Sequence, residues 1–245
     1  MSKAKLKVKT KPQLKAKSGA KLKAKPLKKS ARKPADVHQC INLFKRYYPD
    51  AHCALDHETP EQLLIATILS AQCTDERVNI VTKTLFKKYP RVKDLAEADL
   101  SELEQDVRST GFYKNKAKSL KTMAQQLVEK FNGKVPQNLE ELVRLPGVGR
   151  KTANVVLGNS FNIASGIVVD THVTRLSNRL GFTRHQDAVK IEEDLVSIVP
   201  KEDWIQFSHW LITHGRQVCK ARSPRCNNCF LQELCPSYDH AAVVF

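Results

Sequence analysis

The stretch that decides the fold is Leu-Pro-Gly-Val-Gly-Arg-Lys-Thr-Ala, residues 145–153, which lies between two segments of helical apolar spacing. Gly147 and Gly149 allow this turn to adopt positive φ angles and to direct bare N–H groups at an anion. Lys151 is expected to begin the next helix, where the helix dipole and Arg150 both disfavour its ammonium form. Because a free amine is a nucleophile, the stretch predicts a phosphate-gripping hairpin beside a reactive lysine.

A carboxylate follows the lysine by nineteen positions, in Val-Asp-Thr-His, residues 169–172. Asp170 precedes a helical apolar pattern over residues 173–180, so its side chain is expected to cap that helix and to stay ionised. An ionised acid near an amine suits a cationic sugar intermediate. His172 lies inside the same helix start, where a lone histidine is more often hydrogen bonded than catalytic.

Four cysteines lie close together near the end of the sequence, with six, two and five residues between them: Cys219, Cys226, Cys229 and Cys235. Four thiolates in one short loop predict a metal site. Disulfides are not expected, because no secretory segment precedes the chain and the other three cysteines are scattered. Zinc remains an alternative, although structural zinc usually uses two Cys-x2-Cys knuckles and only one is present here.

Together these motifs resemble the endonuclease III family of DNA glycosylase/AP lyases. The turn resembles the helix-hairpin-helix of that family, at about residues 139–158, and the cysteine spacing resembles its 4Fe-4S loop. The resemblance covers residues 35–238. It implies that Lys151 attacks the sugar, that Asp170 assists, and that the duplex is held by the backbone amides of Gly147, Val148 and Gly149.

Two further segments carry the same resemblance. Gln72, within Leu-Ser-Ala-Gln-Cys-Thr-Asp at residues 69–75, matches the glutamine that fills the space left by an extruded nucleotide. Phe112, within Thr-Gly-Phe-Tyr at residues 110–113, matches the residue that wedges the opposite strand, where some relatives carry leucine. The alternatives are an ordinary hydrogen bond for Gln72 and packing against the next helix for Phe112. Two more residues complete the expected DNA contacts: Arg150 and His172.

The implied activity is that of a bifunctional glycosylase in base excision repair. Such an enzyme removes oxidised pyrimidines from duplex DNA and cleaves 3′ of abasic sites by β-elimination through a lysine Schiff base. An adenine-DNA glycosylase is an alternative, but those relatives lack the lysine and carry an acid in the first barrel helix, where residues 62–74 have none. The other alternative is a non-catalytic DNA-binding or redox module, in which Lys151 and Asp170 would be idle.

Helical apolar spacing continues almost throughout from residue 36, which predicts an all-α fold. Four helix starts are predicted from their capping residues, at Thr59, Thr74, Asp99 and Asn138. By resemblance, residues 53–164 would form a six-helix barrel, and residues 35–52 would join residues 165–245 in a 4Fe-4S cluster domain. The active site would lie in the cleft between them.

Basic residues are concentrated at the start of the chain. The 41 lysines and arginines include fourteen in residues 1–34, which contain no acid, whereas the remaining residues hold 27 basic and 25 acidic side chains. We therefore expect residues 1–34 to be a disordered tail that adds salt-sensitive affinity for nucleic acid. No membrane span is predicted. A monomer in the cytoplasm, associated with the nucleoid, is expected, with the nucleus as the second choice of compartment.

Overall fold

A computed structural model describes residues 33–238 of the chain. Eleven α-helices lie in this range: α1 (Val37–Tyr47), α2 (Pro60–Leu69), α3 (Asp75–Lys88), α4 (Val92–Glu97), α5 (Leu100–Asp106), α6 (Tyr113–Phe131), α7 (Leu139–Leu142), α8 (Arg150–Phe161), α9 (Thr171–Leu180), α10 (Ala188–Ile198) and α11 (Trp204–Gln217). Two short 3-10 turns lie between helices, at Arg108–Thr110 and Lys201–Asp203, and a third follows α11 at Cys226–Asn228. The same range contains no β-strand, so the predicted all-α class is confirmed.

The four predicted helix starts are confirmed by side-chain caps. Each predicted residue accepts a hydrogen bond from a backbone N–H in the first turn of its helix: Thr59, Thr74, Asp99 and Asn138. A cap of this kind contributes about 1 kcal/mol to helix stability, because it satisfies a donor that has no partner inside the helix. Local sequence therefore fixes where α2, α3, α5 and α7 begin.

The buried apolar side chains form two separate cores. The larger core draws on residues 55–157 and is enclosed by α2 to α8, with α2 at its centre because seven of its ten residues are buried. The smaller core combines residues 35–44 with residues 167–231, so that α1 packs with α9, α10 and α11. The chain therefore passes between the cores twice.

Polar and close packing contacts connect the two halves on either side of a cleft. His209 on α11 contacts Asn159 on α8, with 2.9 Å between Nε2 and Oδ1. Close by, a Cβ added at Gly158 would lie 3.2 Å from Cγ1 of Ile205, a contact so tight that Ile205 would have to shift to accept it. Arg216 on α11 pairs with Asp75 at the start of α3. These contacts join the two halves at the wall of the cleft.

The predicted basic tail, residues 1–34, lies outside the described residues except for its last two positions. Among residues 33–238, no helix is long and apolar enough to cross a membrane.

Candidate functional site

The hairpin predicted from residues 145–153 connects α7 to α8. Gly147 has a φ of +79°, and a Cβ at this position would lie 3.0 Å from Cβ of Ser119 on α6. Both the backbone angle and the close approach require glycine here. Gly149 differs, since it is the N-cap of α8 with a φ of −92° and has open space around its Cα.

The three amides expected to bind phosphate are not equivalent. The N–H of Val148 donates to the carbonyl of Leu145 at 3.1 Å, and its side chain is buried in the larger core. This amide is therefore engaged inside the turn, which removes it from the predicted set of phosphate donors while the turn is intact. For the amides of Gly147 and Gly149 no protein acceptor exists within residues 33–238. Both glycines are exposed beside the positive end of α8.

A cleft of about 310 Å³ lies between the two halves, and three of the predicted site residues line it: Gln72, Lys151 and Asp170. Lys151 is exposed in the first turn of α8, and Asp170 comes from the segment that enters the smaller core. Lys151 and Asp170 thus approach the cleft from opposite halves of the molecule. Several polar residues that the sequence did not single out complete its wall: Thr152, Asn154, Asn159, Ser208 and His209.

Asp170 caps α9, as predicted. Its Oδ1 accepts hydrogen bonds from the backbone N–H groups of His172 and Val173, both at 2.8 Å. Two donors on one oxygen fix the orientation of the carboxylate. The carboxylate is therefore held rigidly at the wall of the cleft.

His172 lies behind Asp170 and does not line the cleft. Its Nδ1 is 3.1 Å from Nη2 of Arg175, and burial lowers the pKa of His172. A neutral ring accepts this bond from the guanidinium, which also donates to the carbonyls of Gly215 and Cys219. His172 is therefore part of the contact between α9 and α11.

Gln72 and Phe112 share an uncommon backbone conformation. Their φ angles are +54° and +48°, in the left-handed region, which costs about 1 kcal/mol or more for a residue with a side chain. Both side chains are exposed, and 64% of the surface of Phe112 is accessible. Phe112 is therefore not packed beneath α6, and Gln72 is not part of the core. Strained, exposed residues of this kind are found at ligand-binding sites.

Arg150 is half exposed, and its guanidinium reaches a residue of the other half of the molecule. Its Nε and Nη2 donate to the two carboxylate oxygens of Glu192 on α10, at 2.9 and 3.1 Å. This contact raises the pKa of Arg150. No motif in the sequence marks Glu192, because it lies in an acidic run, Glu-Glu-Asp at residues 192–194, that is typical of a solvated helix face.

The four clustered cysteines line one pocket, together with apolar side chains of α9 and the final loop. Burial and the neighbouring thiols raise the pKa of Cys229 to about 11. Four thiolates at this position therefore need a cationic partner. Arg179 supplies one hydrogen bond, with its Nη1 3.2 Å from Sγ of Cys219, and Nε2 of His214 lies 3.4 Å from Sγ of Cys229.

This donor set fits an iron-sulfur cluster, which requires four cysteine thiolates and is tuned by hydrogen bonds to sulfur. A single metal ion needs ligands that converge more closely. In the described part of the chain, no group of three or more His, Cys, Asp or Glu side chains has that arrangement.

Comparison with known proteins agrees with this geometry. Residues 65–201 match the model of the HhH-GPD superfamily of base excision DNA repair proteins, and residues 219–235 match the iron-sulfur binding domain of endonuclease III. The chain is 53% identical to endonuclease III of Synechocystis sp. over 86% of its own length and 96% of that protein. It is 50% identical to endonuclease III of Bacillus subtilis, over 81% and 91% of the two chains.

Solved structures give the same result. A trapped endonuclease III-DNA covalent intermediate matches with a TM-score of 0.80 and 48% identity, over 84% of this chain and 97% of that chain. A thermostable thymine-DNA glycosylase matches with a TM-score of 0.72 and 25% identity, over 82% and 94% of the two chains. The chain therefore belongs to the endonuclease III family, and it is a DNA glycosylase and AP lyase of base excision repair that carries a 4Fe-4S cluster.

Proposed function

We propose that the cleft between the two cores is the active site, with Lys151 as the nucleophile and Asp170 as its acidic partner. One observation carries this proposal: the amine and the carboxylate line the same cleft, next to the exposed hairpin glycines at the start of α8. A candidate nucleophile and a negative charge thus line one cleft, and the candidate phosphate donors, Gly147 and Gly149, precede Lys151 by four and two positions.

In the proposed reaction the Nζ lone pair of Lys151 attacks C1′ of the damaged nucleotide. The bond from C1′ to the base breaks, and the base leaves with a proton. The sugar ring then opens as a Schiff base forms between Nζ and C1′. Loss of a 2′ proton expels the 3′ phosphate by β-elimination, and water finally hydrolyses the Schiff base to release the enzyme.

Asp170 stabilises the positive charge that develops at the sugar and accepts or returns protons during these steps. Its position supports this role, because the His172 and Val173 amides hold the carboxylate and so prevent its reorientation during the reaction. His172 supports Asp170 through the backbone, and we do not assign its imidazole a contact with DNA.

Base extrusion is assigned to Gln72 and Phe112. Gln72 lines the cleft that would receive the extruded nucleotide, which supports a role for its side chain in occupying the vacated position in the stack. Phe112 exposes an aromatic ring that can wedge and stack against the opposite strand.

DNA is the partner of this fold, since solved structures of endonuclease III-DNA complexes match the chain at 48% identity. For this chain we propose duplex DNA that contains oxidised pyrimidines or abasic sites, bound by one monomer in the nucleoid. The 4Fe-4S cluster, held by Cys219, Cys226, Cys229 and Cys235, supplies the positive charge that four clustered, partly buried thiolates require. The loop that it fixes presents two exposed basic residues to the DNA backbone, Arg222 and Arg225.

The test is incubation of the protein with an end-labelled duplex that carries one oxidised pyrimidine. We expect strand cleavage without heat or alkali, giving a 3′ unsaturated aldehyde. A strand that is cleaved only after alkali would identify a monofunctional glycosylase instead. A second duplex, with adenine opposite an oxidised guanine, tests the adenine-DNA glycosylase alternative, for which only this duplex would react.

A further inference from the structure

Lys116 on α6 is a buried lysine that the reaction does not use. The residue is 6% exposed, and its Nζ donates to the carbonyl oxygens of Leu69 and Thr110, both at 2.8 Å. Burial lowers the pKa of Lys116. An ammonium group in a protein core is costly unless it is well paired, so this position depends on its two carbonyl partners.

Both carbonyls belong to the ends of helical segments. Leu69 is the last residue of α2, and Thr110 is the last residue of the 3-10 turn Arg108–Thr110. Carbonyls at these ends have no donor within their own segment, and the helix dipole places partial negative charge there. One ammonium group therefore caps two chain segments that are far apart in sequence.

Each capped segment leads directly to one of the exposed, left-handed residues. Gln72 follows Leu69 by three positions, and Phe112 follows Thr110 by two. Because the carbonyl oxygens of Leu69 and Thr110 both accept from the same Nζ, the two oxygens lie close to each other. In addition, the backbone N–H of Lys116 donates to the carbonyl of Phe112 at 3.1 Å. The loops of Gln72 and Phe112 thus share a single anchor.

We propose that Lys116 is a positioning residue that couples the two loops, so that Gln72 and Phe112 enter the DNA as one preorganised unit. The inference rests on the roles proposed above for these two residues. Its physical basis is that a fixed spacing between the loops removes conformational freedom that would otherwise be lost when the base pair opens.

A merely structural role for Lys116 gives a different pattern of activity. Loss of general stability would affect every substrate equally, whereas loss of loop coupling affects only substrates whose base must be extruded. The chemistry at Lys151 can be measured separately, on an abasic site inside an unpaired bubble, where no base pair has to be opened.

The experiment compares single-turnover rates of Lys116→Met on two substrates, a fully paired duplex with one oxidised pyrimidine and the bubble with an abasic site. Methionine keeps the apolar stem and removes the donors. We expect a loss of about tenfold to a hundredfold on the paired duplex, and a rate near that of the unmodified protein on the bubble. The matched control is Lys121→Met, because Lys121 on the same helix donates to the carbonyl of Ala98 at 2.7 Å without touching either loop.

A fluorescent base analogue placed next to the lesion gives a second readout. We expect its fluorescence to rise on binding of the unmodified protein and of Lys121→Met, and to stay low with Lys116→Met. Equal losses on both substrates, or unchanged rates on the paired duplex, would overturn the proposal. If Lys116→Met does not fold, Lys116→Gln, which retains one amide donor, takes its place with the same criteria.

Parallel measurements on Gln72→Ala and Phe112→Ala separate this inference from the roles on which it rests. A selective loss on the paired duplex for these two variants, without one for Lys116→Met, would overturn the coupling and leave the roles intact. Rates that are unchanged for both variants would refute the roles themselves, and the coupling with them.

Discussion

Arg150 and Glu192 join the two halves of the enzyme directly beside Lys151. The guanidinium donates to both carboxylate oxygens, at 2.9 and 3.1 Å, and Asn154 adds a third donor to Oε1 at 3.0 Å. Glu192 is buried, and a Cβ at Gly166 would overlap its carboxylate. The start of α8, which carries Lys151, is therefore fixed against α10 of the other half.

Replacement of Arg150 by methionine should lower the free energy of unfolding by about 2 kcal/mol, because it leaves the buried carboxylate of Glu192 without its charged partner. Arg91→Met is the matched control, since its pair with Asp94 is exposed, with 75% of the arginine side chain accessible. That change should lower the free energy of unfolding much less, because an exposed ion pair is screened by solvent. Denaturant unfolding of both variants measures the difference, and equal costs would show that the Arg150 contact does not stabilise the domain arrangement.

The sequence predicts the local contacts of Asp170 but not the long-range contacts of Glu192. The role of Asp170 as a helix cap follows from the residues immediately after it, and the structure confirms it. The pairing of Glu192 with Arg150 spans 42 positions, and no local pattern encodes it. Likewise, the sequence places glycines at 147 and 149, but only the packing around them shows that Val148 donates its amide inside the turn.

Substitution by alanine should affect the stability of the protein differently at the two hairpin glycines. In Gly147→Ala the alanine must adopt a positive φ, and its Cβ would lie 3.0 Å from Cβ of Ser119. We therefore expect this substitution to destabilise the protein by about 1 to 2 kcal/mol. Gly149→Ala meets no atom within 4 Å and should leave the melting temperature unchanged.

Because the Gly149 amide is expected to approach phosphate closely, Gly149→Ala should nevertheless weaken binding to a lesion-containing duplex, by about threefold or more. Melting curves and equilibrium binding of the same samples provide both measurements. Normal DNA affinity of Gly149→Ala would exclude a close phosphate contact at this position.

Acidification should weaken the contact between His209 and Asn159. Burial, with a smaller contribution from His52, lowers the pKa of His209 from 6.5 to about 4. Asn159 Nδ2 donates to the carbonyl of Val155, so its Oδ1 accepts from a neutral His209 ring. Since the unfolded chain binds the proton more tightly, this histidine makes the folded state less stable as the pH falls from 6.5 toward 4.

Between about pH 7 and about pH 5, the free energy of unfolding should therefore fall less in His209→Gln than in the unmodified protein. The expected difference is about 2 kcal/mol. His38→Gln, at an exposed position, is the control and should retain the full loss. The same pH dependence in His209→Gln and the unmodified protein would refute this assignment.

Deletion of residues 1–34 should weaken nonspecific DNA binding and flatten its dependence on salt, because fourteen basic residues no longer displace counterions. Turnover on a saturating lesion duplex should not change. Binding constants measured over a series of salt concentrations give the slope. A slope equal to that of the full chain would show that the tail does not contact DNA.

Borohydride trapping on a duplex that contains one oxidised pyrimidine tests most directly whether Lys151 is the nucleophile. The unmodified protein should give a covalent protein-DNA band, because borohydride reduces the Schiff base to a stable amine, and Lys151→Ala should give none. Absorbance of the 4Fe-4S cluster and binding to the same duplex confirm that the variant is folded. A covalent band of equal intensity from Lys151→Ala would contradict the assignment and place the reactive amine elsewhere in the chain.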